Sequence, residues 1–342
     1  MEVPCVRVER DRGEQTRRRL ADEGLLAAEF EIEVEEGLLY LPVTDAQAVP
    51  EDLEVVSRAV GERDTPDTPA DLLGFEPTYE RLGDIVILDE DDPETAREIA
   101  DAVMESDIPA KTVVNRASKV KGELRVRDWE VLVGDGTETS EASRGSEGEP
   151  SGTETVHREY GCEYLLDVAE VYFSPRLATE RHRVAEQVTA DEHAFDMFAG
   201  VGPFVVPFAE RGAEVVGVDL NEKAIEYLRE NARRNDVAER VTAIQGDVRE
   251  VAPDYEDWAD RVVMNLPHSA DEFLDSAVEL AGDDCLLHYY DIQHEEDPFG
   301  PGEAAIRAAA EPDYEVEVET RHVVRSYAPH ELNVCLDVRL SR

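Results

Sequence analysis

The chain has 342 residues, enough for two or three folded domains and far more than one small core requires. Its 81 acidic residues against 34 basic ones give a formal net charge of -47, yet 42% of residues are hydrophobic, which excludes a simple disordered acidic chain. No apolar run is long enough to cross a bilayer, no signal-peptide core opens the chain, and Cys5, Cys162, Cys285 and Cys335 lack disulfide or zinc spacing, so a cytoplasmic protein with no metal centre and no membrane partner is expected.

Lysine is nearly absent, only Lys111, Lys119, Lys121 and Lys223, and this acidic, lysine-poor composition resembles that of cytoplasmic proteins of salt-loving archaea. Residues 1–48 read as a small α/β unit, a helix built on RRRLADEGLL followed by the strand GLLYLPV (37–43). The segment 6–19 carries Arg7, Arg10, Arg12, Arg17, Arg18 and Arg19, which suits a solvated helix face or a phosphate contact. Residues 49–68, rich in proline and charge, read as a linker. A second α/β unit spans 69–170: strand 82–89, helix 92–106 with Pro93 near its start, and strand 111–116. The stretch 111–127 gathers Lys111, Arg116, Lys119, Lys121, Arg125 and Arg127 against Glu123 alone, and in so acidic a chain this points to a nucleic-acid contact. Residues 134–156 are Gly, Ser, Thr and Glu with little to bury, the composition of a mobile surface loop. The alternation in 163–173 predicts strands, and 174–188 has helical spacing.

From 171 to the end the pattern is regular. Apolar strands at 193–198, 214–219, 241–245, 261–264 and 284–290 alternate with helices near 203–211, 222–235, 270–281 and 302–310. This predicts a mainly parallel sheet covered by helices, a Rossmann-like α/β domain. Two closing strands, 314–327 and 332–340, add an antiparallel edge pair and make seven strands, as in class I methyltransferases.

The chemistry centres on DMFAGVGPF (196–204), a strand, glycine turn and helix start. Gly200 and Gly202 let backbone approach a nucleotide-like ligand. The dinucleotide fingerprint fails, because Val205 stands where its third glycine would be. The next strand ends at Asp219, placed to accept ribose hydroxyls, although a helix-cap role competes and Asn221 suits that better. The third strand ends in Asp247, a candidate for the adenine pocket or an ordinary loop carboxylate, and the fourth ends in Asn265-Leu266-Pro267, a clamp for a planar base or a plain turn. These ends share one rim, where ligands of open α/β sheets bind.

YFSPRLATER (172–181), DMFAGVGPF, GVDLN (217–221), GDVRE (246–250), MNLPHSADEFLD (264–275), HYY (288–290) and RSYAPHE (325–331) together resemble the archaeal and eukaryotic tRNA (guanine-37-N1)-methyltransferase family. The resemblance spans at least residues 111–340, and the N-terminal unit is similar to the small family domain that inspects the tRNA elbow. It implies S-adenosylmethionine as methyl donor and N1 of guanosine 37 in tRNA as acceptor, with magnesium a family expectation that no metal-ligand cluster in the sequence supports. N1 of guanine carries a proton, so attack on the sulfonium methyl needs a base, and the charge spreading to O6 needs a donor. By resemblance Glu180 is that base, although a surface glutamate paired with Arg183 or Arg176 is its plainer reading. Arg125 is matched to the O6 donor, Asn265 and Pro267 to the guanine edge, and Tyr172 to a pocket aromatic. Arg181 matches a contact to the donor's carboxylate. Phe198, Ala199, Gly200, Gly202, Asp219, Leu220, Asp247, Val248 and Asn265 line the rest of the donor site, and Lys111, Arg116, Lys119, Lys121, Arg127 and Arg176 meet RNA. A monomer is expected.

Three alternatives stay open. Related wyosine-pathway enzymes transfer an aminocarboxypropyl group or methylate C7 at the same tRNA position. A nicotinamide-dependent oxidoreductase would use a similar sheet, against the missing third glycine. A catalytically silent tRNA-binding protein would need neither base nor donor.

Overall fold

The architecture is that of a computed structural model describing residues 2–35, 37–50, 52–61, 68–119, 122, 124–134 and 152–342, with Asp11 described by its backbone alone. Contacts divide the chain into two units, Met1–Thr68 and Pro69–Arg342.

In the first unit β1 (Glu2–Glu9) leads into α1 (Arg10–Asp22), followed by β2 (Glu33–Glu35), β3 (Leu38–Pro42) and β4 (Glu54–Ala59). The sheet is antiparallel in the order β2-β3-β1-β4. Alternation along β1 sends Val6 and Val8 to one face, against Leu20 of α1 and Leu41 of β3, and Val3 and Cys5 to the other. Strand β4 lies within 49–68, so that segment is not only a linker. Its six residues pair with β1, Val56 opposite Cys5, and are too short between charges and prolines to stand out in the sequence. The arginine-rich run is largely a solvated, neutralised face: Arg17 and Arg18 pair with Glu14, Arg19 with Asp52, and Arg7 with Glu54.

The second unit begins with α2 (Pro69–Leu73), β5 (Glu80–Leu82), β6 (Ile85–Leu88), α3 (Pro93–Glu105), β7 (Thr112–Arg116) and β8 (Trp129–Gly134). These strands form a sheet in the order β5-β6-β7-β8, with β6 and β7 parallel. Asp92 caps α3 by accepting the Thr95 N–H at 2.8 Å, and Ala96, Ile99, Ala100 and Val103 present its buried stripe. A hairpin of β9 (Glu154–Glu159) and β10 (Cys162–Asp167) follows. Of the expected loop 134–156, residues 135–151 lie outside the described residues, and Glu154–Thr155–Val156 already belong to β9. The expected strand 163–173 ends at Asp167, because its carbonyl accepts the N–H groups of Glu170 and Val171 and closes a turn.

The rest is α4 (Ala178–Ala185), β11 (His193–Asp196), α5 (Val205–Glu210), β12 (Glu214–Asp219), α6 (Glu222–Arg234), β13 (Val241–Gln245), α7 (Val248–Val251), β14 (Ala259–Met264), α8 (Leu274–Leu280), β15 (Ala281–His294), α9 (Gly300–Ala310), β16 (Glu315–Ala328) and β17 (Glu331–Ser341). Seven strands make one sheet, β13-β12-β11-β14-β15-β17-β16; the first four pairings are parallel and the last two antiparallel. The direction of winding reverses between β11 and β14, so the crevice at their carboxyl ends is the switch point. One core runs from Ile87 and Val114 of the small sheet through Leu166 to Phe204 and Val205, so contacts do not separate 69–170 from 171–342 as the sequence suggested. Among the described residues no helix is long and apolar enough to cross a membrane.

Candidate active site at the rim of the large sheet

The glycine turn follows β11. Gly200 (φ +52°) and Gly202 (φ +92°) occupy left-handed backbone, and a Cβ on Gly202 would lie 2.4 Å from Leu228 Cδ1. At Gly200 the surroundings are open, the nearest atom to such a Cβ being the Tyr172 carbonyl oxygen at 3.9 Å. Asp219, at the end of β12, braces the turn: its Oδ2 accepts the Gly200 N–H and its Oδ1 the Asn221 N–H, both at 2.8 Å. Burial raises its pKa, and these two N–H groups oppose the rise. The cap of α6 is Asn221, which accepts from Lys223 N, so Asp219 is free of that role.

Asp196 was missed as a site residue although it opens the motif. It is buried at the end of β11, with Oδ1 accepting the Phe198 N–H and Oδ2 without a partner. Burial pushes its pKa to about 7, and the neighbouring Asp219 adds to the rise. An unmatched buried carboxylate oxygen beside an open glycine and an exposed Leu220 fits a ligand carrying ammonium or hydroxyl donors and an apolar face. S-adenosylmethionine has all three. Phe198 meets Phe273 edge-on at 5.0 Å, Arg249 lies over Phe273, and Arg249 bonds Asp247. Asp247 caps α7 through Arg249 N, and the Arg249 side chain holds its pKa down. Ala199 and Val248 bury their side chains in the core.

Arg181 does not stand open. It is buried under a bidentate pair with Glu159 (3.0 and 2.6 Å), donates to Ser174 O and stacks on Phe173.

Tyr172 ties the glycine turn to a cavity. Its carbonyl borders Gly200 while its ring lies under the Arg125 guanidinium, 5.1 Å away. Arg125 takes left-handed backbone (φ +55°) in a turn closed by its N–H to Gly122 O. The cavity, about 220 Å³, is lined by Arg116, Arg125, Arg127, Arg176 and Arg325 with Trp129, Tyr172 and Phe173, against Glu80 and Asp89. The motifs NLPH and RSY meet next to it: His268 Nε2 is 3.0 Å from Tyr327 OH, and burial together with the Arg125 charge lowers the His268 pKa. Nothing in their spacing announced this contact between positions 268 and 327. Asn265 and Pro267 stand at the end of β14 on this loop, Pro267 accepting the Ile292 N–H.

Glu180 is buried on α4. Oε1 accepts Tyr290 OH and Arg183 Nη2, each at 2.8 Å; Oε2 accepts Arg183 Nε at 2.8 Å and lies 3.3 Å from His322 Nε2. The pairing with Arg183 that the sequence allowed is therefore present. Arg183 also bonds Asp337, which contacts His288 Nδ1 at 2.7 Å, while His288 Nε2 meets Arg261 at 2.6 Å. Burial opposes charge on Asp337, yet hydrogen bonds from His288 and Arg183 hold its carboxyl well below the usual range; burial lowers the His288 pKa, against the pull of Asp337. His288, Cys335 and Asp337 come within metal-binding distance of one another. Imidazole and thiol do not suit magnesium, and the guanidinium groups of Arg183 and Arg261 already serve the polar atoms.

Of the expected RNA contacts, Arg116 pairs with Glu80 and Asp89, Arg176 with Glu80, and Lys111 donates to Glu154 O at 2.6 Å with Asp84 at 3.5 Å. Lys119 is exposed, Arg127 lies over Trp129, and Lys121 falls outside the described residues.

Comparison with known proteins places this geometry. The TRM5/TYW2 methyltransferase domain profile matches residues 155–319, the tRNA methyltransferase 5 N-terminal domain 5–51, and the TYW2 N-terminal domain 67–137. The chain is 39% identical to the tRNA (guanine(37)-N(1))-methyltransferase Trm5b of Pyrococcus abyssi over 98% of this chain and 99% of that protein. It is 34% identical to the tRNA(Phe) (4-demethylwyosine(37)-C(7)) aminocarboxypropyltransferase of Pyrococcus horikoshii, over 76% of this chain and 88% of that protein. The crystal structure of Trm5b from Pyrococcus abyssi matches with a TM-score of 0.71 at 37% identity, covering 99% of this chain and 100% of that one. The complex of aTrm5 with tRNALeu matches at 0.70 and 31% identity, covering 98% and 99%. With its seven-stranded mixed sheet and a relative of this identity along nearly its whole length, the chain belongs to the TRM5/TYW2 family of S-adenosylmethionine-dependent methyltransferases.

Proposed function

We propose that this protein transfers the methyl group of S-adenosylmethionine to N1 of guanosine 37 in tRNA. The observation that carries the reading is Tyr172, whose carbonyl borders the open glycine turn while its ring and Arg125 wall the adjoining cationic cavity. Donor and acceptor sites thus share one residue. The donor's ribose hydroxyls face Asp219, and its adenine packs against Leu220 and Phe198. Guanine enters from the Arg125 side, with Asn265 and Pro267 along its edge, and leaves the anticodon-loop stack to do so. Arg125 donates to O6 as charge builds there, and Glu180 takes the N1 proton. Glu180 is buried, and half-exposed His322, 3.3 Å from its Oε2, must yield to the incoming base. Methyl transfer is then an in-line displacement that the protein serves by alignment.

The wyosine-pathway activities use the same family fold, and relatives with those names are similar to this chain as well. Coverage favours N1 methylation: the Trm5b relatives match 98–99% of the chain, including the first unit, and the aminocarboxypropyltransferases 76–77%. Incubating the protein with an unmodified tRNA transcript and labelled S-adenosylmethionine, then identifying the nucleoside at position 37, tests the reading. It predicts 1-methylguanosine; an aminocarboxypropyl adduct, or label elsewhere, contradicts it.

A further inference from the structure

The cavity beside Tyr172 holds more positive charge than the O6 role of Arg125 uses. Five guanidinium groups line it against two carboxylates, and those are committed: Glu80 to Arg116 and Arg176, Asp89 to Arg116. Among the described residues Arg125, Arg127 and Arg325 have no carboxylate partner, in a chain of net charge -47. Two of the lining arginines, Arg116 and Arg325, carry an Nε that is buried and without a hydrogen-bond partner. An unmatched buried donor on a cation is costly, and two of them together with three unneutralised guanidiniums form an incomplete arrangement. The walls of Trp129, Tyr172 and Phe173 exclude water on one side and strengthen any charge pairing within. Arg127 enters from the segment before β8 and Arg325 from β16, the edge strand of the large sheet, so two separate elements converge on one point.

We propose that this cavity is a phosphate subsite in which Arg127 and Arg325, with the inward Nε of Arg116, grip the nonbridging oxygens of an RNA phosphodiester adjoining the target nucleotide. The guanidinium fork matches two phosphate oxygens, and a fixed anion also relieves repulsion among the arginines. Exposed Tyr172 in the cavity wall, and exposed Tyr327, whose ring lies 6.0 Å from the Arg325 guanidinium, are faces on which the neighbouring bases stack. The subsite sets the strand's register while Arg125 and Asn265 read the base. This rests on the tRNA reading above.

The test measures affinity for an anticodon stem-loop and methyl transfer to it separately, with the full chain, at several KCl concentrations. Binding without methylation would contradict the proposed function and leave the binding results decisive here. Arg127→Gln and Arg325→Gln should each weaken RNA binding about tenfold or more, with S-adenosylmethionine binding unchanged, and should make the salt dependence shallower by about one counterion. Arg325→Lys should recover part of the loss. A methylphosphonate at a linkage flanking the target should weaken the wild type to the same extent and add nothing to the Gln variants. Should Arg325→Gln fail to fold, Arg127→Gln carries the comparison. Wild-type affinity in the folded Gln variants, or fully additive losses with methylphosphonates at both linkages, overturns the proposal. So does competition by inorganic phosphate that the Gln variants abolish while methylphosphonate RNA binds normally, which would assign the subsite to a free anion.

Discussion

In the proposed reaction Glu180 would hold two roles in tension. A base must accept a proton, yet this carboxylate already accepts from Arg183 twice and from Tyr290. Arg183 divides its charge between Glu180 and Asp337, so Glu180 is not its sole counterion. Glu180→Gln should lower single-turnover methyl transfer by about a hundredfold or more while donor binding persists; unchanged turnover would remove Glu180 from the chemistry. Asp196 makes a second prediction. Its folded pKa of about 7 lies above the ordinary aspartate value of 3.8, so the folded state keeps a proton that the unfolded chain releases. The stability it supports is therefore full below about pH 4 and falls as pH rises toward 7, by a few kcal/mol. In thermal melts without ligand, Asp196→Asn should gain on the wild type between pH 5 and pH 7.5. A constant difference in Tm across that range would contradict it. The sequence made Glu180 and Asp219 visible through motif letters, whereas Asp196 needed burial to be seen, since nothing in the letters tells a solvated aspartate from an orphaned one.

At the scale of elements, what was legible followed from pattern length. The parallel strands of the large sheet are unbroken apolar runs between helices with a buried stripe, and their order along the chain was readable. Strand β4 was too short to read, and the alternation past Asp167 continued after the backbone had turned, because apolar Val168 and Val171 pack into the core from a turn. Contacts between distant motifs, His268 with Tyr327 or Arg325 with the cavity, depend on sheet order and had no local signal. Asn231 binds these elements together: from α6 it accepts the Leu165 N–H at 2.7 Å and donates to Leu165 O and Val201 O, joining β10 to the glycine turn. Asn231→Ala should destabilise by about 2–3 kcal/mol through the buried groups left unmatched, and should weaken donor binding as the turn loosens. Thermal unfolding and donor titration would show it; a loss below the scatter of surface substitutions would contradict it.

For the molecule as a whole, charge governs stability more than fold. A net charge of -47 is self-repulsive, and many exposed arginines are already paired with neighbouring acids. The Tm should rise as KCl increases from about 0.1 M to about 1 M, where the Debye length falls from roughly 10 Å to 3 Å; a falling Tm would show that the paired charges outweigh the repulsion. A surface this acidic repels a polyanion, so under the proposed function the local cationic cavity is where RNA is selected. The central claim is that this site carries a methyl group to N1 of an unmodified guanine. It is tested most directly by offering the protein, side by side, tRNA with unmodified guanosine 37 and tRNA carrying the tricyclic wyosine precursor. Methylation of the unmodified tRNA at N1 is expected; transfer to the tricyclic base alone would rule out N1 methylation as the reaction of this site.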